Sequence, residues 1–222
     1  MSRPRQLVAV VGTGTEVGKT WVACRLLEAW RRRGLSVSAR KPAQSFDPAE
    51  GVPTDAELLA AATGEDPDSV CDRRHWYPVP LAPPMAARRL GVAAPVLGEL
   101  LAGLDWPHQP CHVGLLETAG GLRSPQATDG DALDMVVGAR PDLVVTVADA
   151  GLGTIGAVRL VSQALEVEEL PYVVVLNRFD SSEPLHQENL IWLRDVDGLD
   201  VVAGAEGIES VADRVVGPIR TH

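Results

Sequence analysis

The sequence predicts a doubly wound α/β fold with a mainly parallel sheet, and three observations predict it. Residues 7–20 read L-V-A-V-V-G-T-G-T-E-V-G-K-T, an apolar strand, a glycine-rich loop and a helix start in succession. Apolar runs rich in Val and Leu recur at residues 112–116, 143–147 and 172–176, with segments of helical character between them. No linker or composition break divides the 222 residues, so a single domain over residues 1–222 is expected.

The opening strand covers residues 7–11, and its unbroken apolar character with three valines suits a strand buried on both faces. Gly12 and Gly14 permit the turn that follows, and Gly18, Lys19 and Thr20 open a helix. Strand, glycine-rich loop and helix in this order make a phosphate-binding P-loop, so the sheet is of the P-loop NTPase type. The backbone N–H groups of Gly14, Thr15, Glu16, Val17 and Gly18 would face a nucleotide's phosphates at the helix N-terminus. Lys19 would reach the outer phosphates, and the Thr20 hydroxyl would hold Mg²⁺. The usual spacing places the first glycine at position 13; here Thr13 stands there and Gly12 comes one residue early. A Gly/Thr-rich turn with no ligand is the competing reading, and the strand before and the helix after weigh against it.

Val22, Ala23, Leu26, Leu27 and Trp30 repeat at helical spacing and form the apolar face of the first helix. Its Arg31-Arg32-Arg33 run ends at Gly34, which reads as a basic helix C-terminus with a glycine cap rather than as a patch for a partner. Residues 36–40 read as the second strand, which delivers Lys41-Pro42 to the sheet edge where α/β folds bind ligands. Residues 43–53, including Gln44 and Ser45, read as a loop, and Thr54 or Asp55 caps a helix ending at Gly64. Residues 65–80 read as polar and irregular. A proline-rich entry then leads into one short helix, and another covers residues 95–102. His108, Cys111 and His112 lie close together, but the set lacks a paired Cys-x-x-Cys and makes a poor zinc site.

The strand at residues 112–116 ends at Glu117, beside T-A-G-G. An acidic residue closing a strand next to a P-loop can orient Mg²⁺ or its waters, and this context favours it over an ordinary charged strand end. Residues 129–137 read as a helical turn and 143–147 as a buried strand; the glycine-rich turn after it opens a helix through Leu165. Residues 172–176 form a further buried strand, ending in Asn177-Arg178-Phe179-Asp180, where the Asn amide can read a base edge. A polar helix near residues 186–194, a short strand near 199–202 and a last helix from about Ile208 complete the chain.

The formal net charge of -10 argues against nucleic acid or an anionic membrane as the main partner. No apolar run approaches about 18 residues, so no spanning helix is expected, and the N-terminus lacks a signal-peptide pattern. The three cysteines, Cys24, Cys71 and Cys111, are odd in number and widely spaced, which suits a reducing, cytoplasmic setting.

Residues 12–20, Lys41-Pro42, Ser45, Asp55, residues 117–121 and Asn177 together resemble the dethiobiotin synthetase family, in matching order along most of the chain. The loop G-T-G-T-E-V-G-K-T is close to that family's own P-loop variant, displaced first glycine included. K-P-A-Q-S resembles its lysine-proline segment, Y-P-V-P-L-A-P-P-M-A-A its proline-alanine segment, E-T-A-G-G its E-G-A-G-G, and D-A-G-L-G-T-I-G its L-G-T-I-N-H turn. The part beyond Asn177 matches weakly. The resemblance implies an ATP-dependent enzyme, usually a homodimer, that closes a urea ring on 7,8-diaminononanoate with CO2. One amine captures CO2 as a carbamate, a carbamate oxygen attacks the γ-phosphoryl group, and the second amine displaces phosphate from the mixed anhydride.

By the same resemblance, Lys19 and Lys41 neutralise the phosphate and carbamate oxygens, and Thr20, Asp55 and Glu117 hold Mg²⁺. Thr15 and Ser45 hydrogen-bond the diamine or carbamate, Asn177 binds adenine, and the turn at residues 151–156 lies at or near the dimer interface. Three positions depart from the pattern: Phe46 where the family usually has Gly, Thr118 for the Gly of E-G-A-G-G, and Gly156-Ala157 for Asn-His. They bear on the amine more than on the ATP chemistry, and leave open a ligase for a different amine.

Three other readings compete. A P-loop amide ligase of the cobyrinate-diamide type normally carries a glutamine-hydrolysing domain with a Cys nucleophile, for which this chain is short. A nucleotide switch of the kind that positions cell components carries a second P-loop lysine where Gly14 stands. Asn177 and Asp180 have the spacing of a guanine-reading motif, although Asp180 as the start of a loop is the preferred reading for so short a motif.

Overall fold

Among residues 3–216, which the computed structural model describes, the Val- and Leu-rich runs pair as a six-stranded sheet. Its strands are β1 (Gln6–Gly12), β2 (Val37–Arg40), β3 (Val113–Glu117), β4 (Leu143–Asp149), β5 (Tyr172–Asn177) and β6 (Val201–Ala203). All pairings are parallel, and the order across the sheet is β6-β5-β4-β1-β3-β2. From β1 the chain passes through α1 (Lys19–Arg32) to β2 at one edge, then returns to β3. After β3 it crosses to the other side, to β4. The order thus reverses between β1 and β3, and the crevice beyond their C-terminal ends is where an open α/β sheet binds ligands. The glycine-rich loop and Glu117 both emerge there. The ends of the expected 1–222 domain, residues 1–2 and 217–222, lie outside the described residues.

The layers follow from alternation along the strands. Val8 and Val10 of β1 pack with Leu26 and Trp30 of α1, Leu59 of α2 (Asp55–Thr63) and Val211 of α8 (Gly204–Val216). Ala9 and Val11 pack on the opposite face with Val136 of α5 (Ala132–Ala139) and Val161 and Leu165 of α6 (Thr154–Val167). Both faces are buried, which is why the strand carries no polar position from Leu7 to Val11. Trp30 donates its indole N–H to the Ala212 carbonyl at 3.0 Å, tying α1 to α8. Arg32 pairs with Glu209, and Arg33 with Glu209 and Asp213, so the arginine run is a helix end clasped by ion pairs. The chain then leaves α1 through Gly34 at φ 75°.

Segments expected to be irregular hold short elements. Trp76–Tyr77 pairs in parallel with Gln44–Ser45, inside the expected loop, and a helical turn Pro67–Val70 precedes it. A hairpin of Pro125–Ala127 and Gly130–Asp131 leads into α5, whose N-cap Asp131 forms a capping box with Asp134. Such two- and three-residue pairings are set by tertiary neighbours, and periodicity cannot register them. The last helix begins at Gly204 rather than near Ile208. His112 Nδ1 lies 2.7 Å from Ser36 Oγ, and the Cys111 thiol faces the Val113 carbonyl. No helix among the described residues is long and apolar enough to cross a membrane.

Candidate active site

The loop between β1 and α1 folds back closely on itself. A Cβ on Gly12 would lie 2.8 Å from the Gly14 carbonyl oxygen, so the displaced glycine answers a steric demand. Gly18 sits at φ 89°, and a Cβ there would meet Asn177 Nδ2 at 2.0 Å. The end of β5 braces the loop from beside it: Asn177 Nδ2 donates to the Val17 carbonyl at 2.9 Å, and Arg178 donates to the Glu16 carbonyl at 2.8 Å. The donor end of the Asn177 amide is therefore engaged with the loop, and its carbonyl end is what it can offer to a base amino group. Lys19 is buried, and Nζ donates to the Gly14 carbonyl at 3.0 Å. Burial and the neighbouring Lys41 charge bring its pKa down to about 8.

Four elements bring four charged or polar groups together beyond the strand ends: Thr20 on α1, Lys41 just past β2, Asp55 on α2 and Glu117 at the end of β3. At the start of α2, Thr54 forms the capping box with Glu57, which settles the choice of cap and leaves the Asp55 carboxylate for other contacts. Thr20 Oγ1 lies 2.8 Å from Asp55 Oδ1 and 2.8 Å from Glu117 Oε1, with one hydroxyl proton to serve both. Lys41 Nζ donates to Asp55 Oδ2 at 2.6 Å and to Glu117 Oε1 at 2.5 Å. Burial opposes the ammonium of Lys41, but the charges of Asp55 and Glu117 outweigh it and hold its pKa above the usual lysine range. Burial likewise opposes the Asp55 carboxylate, and Lys41 outweighs it and keeps that pKa low. Glu117 is fully buried, and burial raises its pKa against the pull of Lys41.

Glu117 Oε2 is buried and has no partner among the described residues. Hard oxygens from a hydroxyl and two carboxylates, one with an orphaned atom, fit a Mg²⁺ ion that also keeps waters and phosphate oxygens. A cavity of about 830 Å³ opens beside this cluster, lined by Thr15, Lys19, Lys41, Gln44, Ser45 and Phe46 among others. Thr15 and Ser45, which the resemblance assigns to the diamine or carbamate, both line this cavity. Phe46 packs edge-on against Trp76, with ring centroids 6.2 Å apart. Gln44 and Arg178 also line the cavity. Both stand inside segments the sequence singles out, K-P-A-Q-S and Asn177-Arg178-Phe179-Asp180, but neither residue was assigned a role there.

A family model described as an AAA domain matches residues 6–213. A protein of Anaeromyxobacter dehalogenans (strain 2CP-C), named ATP-dependent dethiobiotin synthetase BioD, is 39% identical over 186 residues, covering 80% of each chain. A protein of the same name from Anaeromyxobacter sp. (strain Fw109-5) is 34% identical over 209 residues, covering 92% of each. The chain belongs to the dethiobiotin synthetase family.

Solved structures with a similar fold include a plasmid partition protein from Borrelia burgdorferi, at TM-score 0.57 and 13% identity, covering 95% of this chain and 98% of that one. Chloroplast FtsY from Physcomitrella patens has TM-score 0.52 and 16% identity, covering 96% of this chain and 66% of that one. At such identities these bear on the fold alone. Within the dethiobiotin synthetase family, this member's departures take definite places. Thr118 is fully buried, with Oγ1 unpartnered among the described residues. Gly156 lies in the first turn of α6, where no Cβ would meet anything within 4 Å.

Proposed function

We propose that this protein is an ATP-dependent dethiobiotin synthetase, carboxylating 7,8-diaminononanoate and closing the cyclic urea through a carbamate–phosphate mixed anhydride. The observation that carries the reading is the meeting of Thr20, Lys41, Asp55 and Glu117 at the mouth of a P-loop, in a chain whose relatives bear that name. ATP is a substrate. The N–H groups of residues 14–18 and Lys19 bind its phosphates, and Asn177 meets the adenine amino group through its carbonyl end. Thr20, Asp55 and Glu117 would hold Mg²⁺, which would supply positive charge to offset that of the phosphate oxygens.

Thr15 and Ser45 orient the amine end of the substrate. The Lys41 ammonium, kept charged by its two carboxylates, meets the charge on the carbamate and on the transferring phosphoryl group. Phosphoryl transfer needs mainly this positioning and neutralisation. Phe46 narrows the substrate side without adding charge. The working form is a homodimer with the turn at residues 151–156 at or near the interface; the exposed apolar residues of that region support this.

The test is a phosphate-release assay with 7,8-diaminononanoate, bicarbonate and Mg-ATP, each omitted in turn. Release that needs all of them is the expected result. Release indifferent to bicarbonate and amine would favour a nucleotide switch, and release with another amine would keep the chemistry and change the substrate.

A further inference from the structure

We propose that Gln44 is a substrate-binding residue whose side-chain amide donates a hydrogen bond to the carbamate formed on the bound amine. The proposal rests on the dethiobiotin reading and deepens it. Gln44 is 1% exposed and lines the cavity three residues after Lys41. Its Oε1 accepts from the backbone N–H of Ala56 at 3.0 Å, in the first turn of α2. A backbone N–H requires an acceptor, so this contact decides which end of the amide is oxygen; the flipped amide would set N–H against N–H. Nε2 is therefore a donor of settled identity, and it is buried with no partner among the described residues.

A buried donor left unmatched in a folded protein is uncommon and calls for a ligand or water. It does not stand alone. Ser45 Oγ, on the next residue of the same cavity wall, and Glu117 Oε2, in the cluster under Lys41, are also buried and unpartnered among the described residues. Glu117 Oε2 accepts and suits the cation. Gln44 Nε2 can only donate, so its partner is an acceptor. The ammonium groups of the diamine are donors, its methylene chain offers nothing, and its carboxylate lies at the other end of the chain from the amines that Thr15 and Ser45 orient. The acceptor that the reaction creates beside Lys41 is the carbamate oxygen that does not attack phosphorus. Gln44 thus recognises the CO2-loaded amine rather than the amine itself. The same amide holds Ala56, adjacent to Asp55, so carbamate and metal ligand share one rigid support.

Two variants separate this role from simple helix capping. Gln44→Glu keeps an acceptor for the Ala56 N–H and removes the donor, whereas Gln44→Met removes both. The readouts are the bicarbonate needed for half-maximal phosphate release, Mg-ATP affinity by calorimetry, and the ¹³C NMR signal of carbamate. That signal is read with labelled bicarbonate, diamine and a non-hydrolysable ATP analogue. Both variants should need about tenfold more bicarbonate or beyond, the size of one lost hydrogen bond to a charged group, with a weakened carbamate signal and unchanged Mg-ATP affinity. If Gln44→Glu keeps wild-type bicarbonate dependence and only Gln44→Met suffers, Gln44 is a cap and the proposal falls. It falls too if Mg-ATP affinity drops as much as bicarbonate dependence rises. A wild type that needs neither bicarbonate nor amine overturns the dethiobiotin reading first, and the carbamate as partner with it.

Discussion

Lys41 and Lys19 carry the same charge into the same buried region and end up differently. Lys41 touches two carboxylates, and its ammonium persists; Lys19 has a backbone carbonyl as its hydrogen-bond partner, and its pKa falls to about 8. Lys41→Ala should therefore lower the amine-dependent rate by about 10²-fold or more, the size seen for loss of one transition-state donor, while nucleotide affinity changes little. Steady-state rates with parallel calorimetry would check this, and an equal loss in both would mark Lys41 as a ground-state binder. For Lys19 the sign runs the other way from a paired lysine. Below about 8 the ammonium is present and attracts phosphate. As pH rises through about 8 the neutral form takes over, so the ATP affinity of the free enzyme should fall. Lys19→Arg, which does not titrate, should flatten that dependence if it still binds. The folded state also binds fewer protons at Lys19 than the unfolded chain between about 8 and 10.5, so this residue's contribution to stability rises with pH there.

At the scale of elements, the start of α2 divides two roles between adjacent residues. Thr54 closes the capping box, and Asp55 turns its carboxylate to Thr20 and Lys41. Thr54→Ala should cost about 1 kcal/mol of stability, read as a lower Tm, with no change in the Mg²⁺ needed for half-maximal rate. Asp55→Asn should do the reverse, raising the Mg²⁺ requirement while the helix start survives; a Tm loss alone would return Asp55 to a structural role. The sequence had left the cap between these two residues, because both types cap well and spacing could not choose. It revealed the strands more fully, since β1, β3, β4 and β5 are buried on both faces and their residues are almost uniformly apolar. The P-loop and Glu117 were legible for the same reason, each being fixed to a strand end. A role for Gln44 was not legible, although K-P-A-Q-S contains it, because the short pairing of Gln44–Ser45 with Trp76–Tyr77 that seats it depends on contacts far apart in sequence.

At the scale of the whole molecule, the three most exposed large apolar side chains among the described residues lie where the proposed second copy would sit. Leu152 is 93% exposed in the turn before α6, and Leu160 and Val167 on α6 are 71% and 74% exposed. The seven-residue separation places Leu160 and Val167 along one side of α6, and Leu152 stands in the turn that leads into it. In the proposed homodimer these side chains would be covered by the twofold-related copy, with no other partner required. The turn that carries Leu152 follows β4 and so emerges on the same edge of the sheet as the P-loop. A partner's turn could then approach the far end of the amine, while ATP binds within one protomer. Gly156-Ala157 brings no polar side chain there, so anion contacts from the partner would come from backbone N–H groups. Leu160→Asp should therefore shift the protein to monomer in sedimentation, raise KM for the diamine several-fold or more, and leave Mg-ATP affinity unaltered. A wild type that sediments as a fully active monomer would remove the dimer from the mechanism. A dissociated variant with unchanged KM would keep the dimer and confine it to a structural role.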